Sequence, residues 1–442
     1  MEHGGDDTNH SNDPNDSSDT TGAVGTTGLP GAADTAVAAD TADTADPTNT
    51  ADPTNTADPT DTADPIGPAS GTPGTPDADP PPTAPRDAPR SRSRTRLRSR
   101  TRPRRRLPRR LRRTALALLL PLLLLLGSLL ATQIALRAAY SGDPAEGTRT
   151  RGRDALWLGH AWVDGRRTDG DLGALARRLR GTGVRDLYVH AGPLEHDGTL
   201  PASAHRDARR LITGVHRELP GVRVQAWLGD VLATETPDGM RLERARTRAA
   251  VVRSARQVLA AGFDGVHVDL EPTHSGDRHF LALLDALHHV TRAHGATLSV
   301  AAHQIDPLPG LHRAFGAVTG HPKWWSQAYF GQVARRVDQI AVMSYDTMQQ
   351  WESTYGGYVA RQTALALEAT PPGTDLLMGL PFFHEDRFGH RAAAETVPAA
   401  VRGVRLGLSR TDAGRERFGV ALYVDFAATE ADWRAYREGW VR

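Results

Sequence analysis

The sequence has no cysteine. That excludes disulfide staples and cysteine-based metal sites, and is compatible with any redox compartment. Lysine is nearly missing as well: Lys323 stands alone among 53 basic residues, the rest being arginine, a bias expected of a GC-rich bacterial genome. Large apolar side chains are almost absent from the first ninety residues, which are rich in Asp, Thr, Pro, Ala and Gly. From Thr44 the motif Thr-Ala-Asp-Pro-Thr-Asn recurs about every six residues. Such a segment buries too little surface to offset the entropy of ordering it. Residues 1–113 are therefore expected to form a disordered tail.

The formal net charge of +1 conceals an uneven distribution. Residues 90–113 hold fourteen arginines. They abut Ala115–Leu136, a leucine-rich run of 22 residues without a charge. About 20 apolar residues cross a bilayer as a helix, and Pro121 and Gly127 are tolerated within one. An arginine cluster beside such a span holds that side in the cytoplasm, and anionic headgroups reinforce the effect. Two other readings are an arginine-rich nucleic-acid tail and a secretory signal cleaved near Ala138–Ala139. Arg137 and the length of the leucine run fit the second poorly. The expectation is a signal-anchor helix over 114–137 and a linker over 138–153. The amino terminus then lies in the cytoplasm of a single-pass cell-membrane protein and the large domain outside the cell, with no nucleic-acid partner.

From residue 154 the texture changes to short β-rich runs alternating with amphipathic Ala/Leu/Arg segments. The strand candidates are Ala155–Trp162, Val184–His190, Val222–Leu228, Gly265–Glu271, Thr297–Ala302, Gln339–Tyr345, Leu376–Pro381 and Gly419–Val424. Helical patterns lie near 171–181, 203–218, 240–261, 277–294, 324–336, 358–369, 393–402 and 430–440. Regular βα alternation implies a parallel sheet. Eight units over 154–442 fit a closed (β/α)8 TIM barrel. An open doubly wound sheet is the competitor, but no glycine-rich phosphate loop follows the first strand.

Function in such a barrel gathers where the strands end. The candidate ends carry Tyr188 and His190; Gln225, Trp227 and Asp230; Asp269 and Glu271; His303; Met343, Tyr345 and Asp346; Tyr423 and Asp425. This acid-and-aromatic rim suits a sugar, with aromatic faces for stacking and carboxylates for chemistry. No basic cluster for a phosphate accompanies it. His190, His303 and Asp425 lack close metal-site spacing, so neither metal nor cofactor is expected. On the fourth strand, His267, Asp269 and Glu271 share one face. Polar groups in series on a buried strand are costly unless paired or used. Two carboxylates at that spacing shift each other's pKa, which suits acid-catalysed glycosidic cleavage. A structural ion pair at a barrel rim is the plainer alternative. For Tyr345, Trp227, Trp324 and Trp325 it is ordinary packing.

At these residues the chain resembles family 18 glycoside hydrolases, the chitinase-like (β/α)8 enzymes. Their strand-four signature Asp-Gly-x-Asp-x-Asp-x-Glu is similar to Asp264-Gly265-Val266-His267-Val268-Asp269-Leu270-Glu271. Their Met-x-Tyr-Asp matches Met343-Ser344-Tyr345-Asp346, and Met378-Gly379-Leu380-Pro381 looks like their strand-seven segment. The resemblance implies that Glu271 is the acid. The substrate's own N-acetyl carbonyl serves as nucleophile, the exception to the two-carboxylate scheme. Asp269 orients that acetamido group, Tyr345 contacts it, and Asp346 touches the sugar. Met343, Trp227, Gln225, His267 and Tyr423 complete the implied substrate-binding set, and Asp264 is structural.

Two departures stand out. His267 occupies the position of an acid that, in the family, lies beneath Asp269 and tunes its protonation. Tyr423 stands where the strand-eight floor is usually Trp. The expected function is thus a membrane-anchored glycosidase acting on a polysaccharide or oligosaccharide with N-acetylated sugars, as a monomer. The alternatives are a non-catalytic glycan-binding barrel and a glycosidase using ordinary carboxylate catalysis on a sugar without an acetamido group.

Overall fold

The computed structural model describes residues 109–442, except 235, 321 and 322, with the side chains of 109–116 and 118 also left aside. The tail expected over 1–113 lies outside the described residues up to position 108.

The strands are β1 (Asp154–Leu158), β2 (Val184–Pro193), β3 (Arg223–Val231), β4 (Gly265–Glu271), β5 (Thr297–Ala302), β6 (Gln304–Ile305), β7 (Trp324–Trp325), β8 (Gln339–Val342), β9 (Asp375–Pro381) and β10 (Phe418–Tyr423). Eight of them close into a parallel barrel in the order β1-β2-β3-β4-β5-β8-β9-β10, with β10 returning to β1. This is a TIM barrel, and each barrel strand overlaps one expected from the sequence. The strands are apolar runs buried on both faces, as parallel strands sheathed by helices must be. One set of side chains packs against the helices, as Val266, Val268 and Leu270 do. The other fills the barrel, where Trp157, Tyr188, Trp227, Tyr345 and Tyr423 cluster.

Helix starts follow local chemistry. Thr168 and Thr429 form capping boxes with Asp171 and Asp432, and Asp277 and Thr396 cap the helices after them. At the bottom of the barrel, buried Asp154 joins the two ends of the domain. It accepts from Tyr436 Oη at 2.7 Å, Thr150 Oγ1 at 2.8 Å and the Val420 N–H at 3.0 Å, and Trp440 Nε1 lies 3.0 Å away.

Several segments depart from the sequence expectation, among them the helix expected over 393–402, which spans Val397–Thr411. The first strand stops at Leu158, because the Asp425 carboxylate takes the Gly159 N–H (2.9 Å) and Trp162 Nε1 (2.8 Å) and folds His160–Trp162 into a 3-10 turn. The sixth barrel strand, β8, stops at Val342 rather than Tyr345. The expected helix over 324–336 begins late, since Trp324–Trp325 pairs with Gln304–Ile305 in a separate two-stranded sheet. Between those two strands lies a helix, Leu311–Thr319, that the sequence pattern did not disclose.

Arg109–Tyr140 is a continuous helix with Pro121 inside it. Its stretch Leu119–Tyr140 is 22 residues long with mean hydropathy 2.2, long and apolar enough to cross a membrane. Residues 138–153, expected as a linker, are held against the barrel. Ala145 N–H reaches Ser409 Oγ at 2.8 Å, Arg402 donates to the Gly142 carbonyl at 2.7 Å, and Thr150 N–H pairs with the Trp440 carbonyl at 3.0 Å.

Candidate active site

The β3–β4 register sets Trp227 beside His267, Gly229 beside Asp269 and Val231 beside Glu271. The two acids end β4 inside the mouth of the barrel. Together with Trp157, Ala301, Met343, Tyr345 and Tyr423 they line a small recess. The peptide bonds after Glu271 and after Tyr423, at the rims of β4 and β10, are both cis.

Asp269 is buried, and its two oxygens differ. Oδ2 accepts from Trp227 Nε1 at 2.9 Å. Oδ1 is buried and makes no hydrogen bond within the protein. Burial pushes the carboxyl up to about 6, against the pull of the Trp227 N–H. It therefore titrates near neutrality with one acceptor aimed at nothing in the chain. Glu271 is similarly buried. His303 Nε2 stands 3.8 Å from Glu271 Oε1, but accepts from the Thr273 N–H at 3.2 Å. Burial pulls His303 down to about 3, so it is neutral.

His267 lies one step below Asp269 with no exposed surface. Trp157 Nε1 donates to its Nε2 at 3.1 Å, which puts the ring proton on Nδ1, and Nδ1 donates to Ser299 Oγ at 2.7 Å. Ser299 Oγ donates to Gln225 Oε1 at 2.8 Å, and Gln225 Nε2 donates to Asp186 Oδ1 at 2.8 Å. The imidazole stacks on Tyr188 with centroids 3.8 Å apart. Burial pulls it down to about 3, so it stays neutral. Both ring nitrogens are thus engaged away from Asp269. Where the resemblance implies an acid that tunes Asp269, this chain has an uncharged structural spacer. Gln225, equally buried, belongs to the same interior network rather than to the recess wall.

Tyr345 is buried, stacks on Tyr423 at 5.2 Å and meets Phe383 edge-on at 5.6 Å. Burial raises its hydroxyl well above the ordinary range, followed by the neighbouring Tyr423 and Asp269, so it remains a protonated donor. Gln304 Nε2 holds the Tyr345 carbonyl at 2.6 Å. The ring fits only because β9 carries Gly379: a Cβ there would come within 2.9 Å of Tyr345 Cε1 and 2.8 Å of the Val342 carbonyl. Trp227 and Trp325 are wholly buried, and Trp324 spends its N–H on Tyr358 at 2.8 Å. Asp230 faces away from the barrel axis and pairs with His196 at 3.0 Å. Asp264 accepts from the Val224 N–H at 2.7 Å, a structural contact at the foot of β4.

Asp346 turns out of the strand with φ 56°. Arg387 meets its Oδ2 at 2.9 Å, and His390 Nδ1 lies 3.2 Å from Asp346 Oδ1 and 3.2 Å from Glu395 Oε2. Burial opposes the charge on His390, but the two carboxylates outweigh it and raise the ring to about 9. Burial likewise opposes ionisation of Asp346, yet His390 and Arg387 hold it below the usual carboxylate range. Asp346, His390 and Glu395 are also close enough to hold a metal ion. Glu395, however, is already occupied by the Asp346 N–H (2.6 Å), the Thr347 N–H (2.8 Å) and Thr347 Oγ1 (2.9 Å). A protonated His390 between two carboxylates fits the donors better than a cation does. The triad clamps the backbone that carries Tyr345.

The sequence reading did not single out Trp157, Gly379, Arg387, His390 or Glu395. Only Gly379 lay within a recognised motif. The others act across strands, and no local spacing marks them.

No protein-family model and no curated protein matches this chain. Solved structures do resemble it. The Ostrinia furnacalis Group IV chitinase is 15% identical, with 65% of this chain covering 99% of that one at a TM-score of 0.44. The Chromobacterium violaceum chitinase is 13% identical, with 65% covering 98% at 0.44. The Bacillus cereus spore cortex-lytic enzyme SleL is 12% identical, with 65% covering 74% at 0.46. These are likenesses of fold.

Proposed function

We propose that residues 154–442 are a glycosidase that cleaves a glycan containing N-acetylated sugars with retention, using the substrate's acetamido group as nucleophile. The observation that carries this reading is Asp269. One oxygen is fixed by Trp227, and the other is buried without a protein partner beside Glu271. An unsatisfied buried acceptor calls for an explanation, and a substrate N–H supplies one.

Glu271 gives its proton to the glycosidic oxygen as the bond to the anomeric carbon breaks. The acetamido oxygen bonds to that carbon, forming a cyclic oxazolinium. Ionised Asp269 accepts from the acetamido N–H and balances the positive charge. The Tyr345 hydroxyl donates to the acetamido oxygen, and Tyr423 packs beneath the sugar. Glu271, now a carboxylate, takes a proton from water as the water opens the ring at the anomeric carbon, so the configuration is retained. Met343 lines the recess, and Asp346 reaches the sugar from its partly exposed side. His267 and Gln225 support the floor.

The remaining parts of the proposal are a cytoplasmic tail over 1–113, an anchor over 114–137, a connecting segment over 138–153 and an extracellular barrel acting as a monomer on a polysaccharide or oligosaccharide. The apolar helix and the arginine collar before it support the anchor. The test is a degradation screen of the full-length protein on chitooligosaccharides and peptidoglycan. Glu271→Gln should slow turnover by about 10²- to 10⁴-fold, the range for loss of a positioned acid. Equal product from both proteins would refute the assignment.

A further inference from the structure

Large apolar side chains exposed on the described barrel are few, and they are confined to one sector. They are Leu308, Val318, Met348, Trp351 and Phe388, with Val318 87% exposed. All five sit on segments that follow β5, β8 and β9, three strands adjacent in the barrel. Single exposed hydrophobics scattered over a surface need no explanation, but a cluster marks an interaction site. Helix Leu311–Thr319, in the first of these segments, buries none of its residues. Leu311 and Val318 lie on one face of it, seven residues apart.

The end of the apolar helix docks in the same sector. Arg137 lies over the Trp351 ring at 5.3 Å. Leu136 and Tyr140 pack over Gly356 and Gly357, in the first turns of the helix after β8, where a Cβ on Gly357 would collide with the Leu136 carbonyl. Arg410, on the helix after β9, donates to the Ala139 and Ser141 carbonyls.

We propose that this sector of the rim rests on the surface of the lipid bilayer, with Leu308, Val318, Met348, Trp351 and Phe388 inserted at the interface. Three of the five are aliphatic, which suits acyl chains and offers no flat face to a sugar. Tryptophan is enriched at headgroup depth, and interfacial Trp and Arg side chains anchor membrane helices. Short amphipathic helices bind such surfaces through one apolar face. The inference rests on the anchored-glycosidase reading. It adds that the mouth of the barrel opens at the membrane, so the substrate is a glycan lying against or attached to the bilayer.

The absence of native cysteine allows a direct test. Val318→Cys and Phe388→Cys, each carrying a nitroxide, are compared with Leu125→Cys in the apolar helix and Arg217→Cys on the exposed end of another helix. The full-length protein is reconstituted in phosphatidylethanolamine–phosphatidylglycerol vesicles. Oxygen, which concentrates in lipid, should relax the labels at 318, 388 and 125 more than a water-soluble nickel chelate does, with the reverse at 217. If 125 is lipid-exposed while 318 and 388 respond to nickel, the bilayer contact is wrong and the anchor stands. If 318 and 388 respond to neither reagent, a protein such as a second copy covers the sector, and the proposal fails. If 125 itself responds to nickel, the anchor fails and this inference with it.

Discussion

Trp227→Phe is the most informative single substitution. It removes one N–H and keeps an aromatic ring between His190 and Tyr423, which pack against Trp227 at 4.7 Å and 6.3 Å. The lost hydrogen bond is the 2.9 Å contact to Asp269 Oδ2. A hydrogen bond to a charged acceptor contributes about 1.5–3 kcal/mol, which is about one to two pH units at about 1.36 kcal/mol per unit. In the folded protein this N–H lowers the Asp269 value that burial has pushed up to about 6. Without it, burial acts unopposed, and the carboxyl should move to roughly 7–8. The mechanism needs ionised Asp269, so the acid limb of kcat/KM, which reports the free enzyme, should move up by about one to two units. Below both limbs the loss should be about 10- to 100-fold, and it should shrink as pH rises. The assay is initial-rate cleavage of a soluble chitooligosaccharide across pH 4–9. An acid limb that stays in place, at whatever height, would show that Asp269 is not the group whose ionisation the reaction requires.

Asp269→Asn should stabilise the fold while abolishing turnover. The folded carboxyl titrates near 6, above about 3.9 in an unfolded chain. The folded state therefore holds the extra proton between those values, and stability falls as pH rises through that window. The gain from Asn should be absent below pH ~4 and on the order of 3 kcal/mol above pH ~6, read from urea midpoints. His390→Gln runs the other way. The ring value of about 9 exceeds its unfolded value, so its contribution is complete below about 6.5 and lost as pH rises through 9. The variant should be destabilised by on the order of 3 kcal/mol at pH 6, with the difference vanishing above pH ~10. Gly379→Ala places a methyl 2.9 Å from the Tyr345 ring. It should cost about 1–3 kcal/mol by overpacking and lower kcat by shifting Tyr345, a loss seen in turnover and melting temperature together.

The barrel was legible because its strands are local objects. Gly265–Glu271 and Thr297–Ala302 are continuous apolar runs between turn residues, and their bounds in the structure are those read from the sequence. The two β4 acids were legible for the same reason, since alternation along one strand fixes which side chains share a face. The segment 304–325 was not. Its two-residue strands pair with each other across the intervening helix, and pairs that short leave no periodicity to detect. The supporting clamp was equally hidden: His390 and Glu395 lie more than forty residues beyond Asp346 and meet it only through the fold.

His267 marks the division between what sequence and tertiary structure decide. Sequence alone established a strand with two carboxylates at its rim, a (β/α)8 alternation behind it, and an imidazole in an acid's place. These follow from chain-local periodicity and from chemistry that each residue carries anywhere. Whether that imidazole charges, and whether it governs Asp269, depends on which groups face its two nitrogens. Trp157 on β1 and Ser299 on β5 occupy them, and burial keeps the ring neutral. Those partners are 110 and 32 residues away, and only barrel closure brings them within hydrogen-bonding distance.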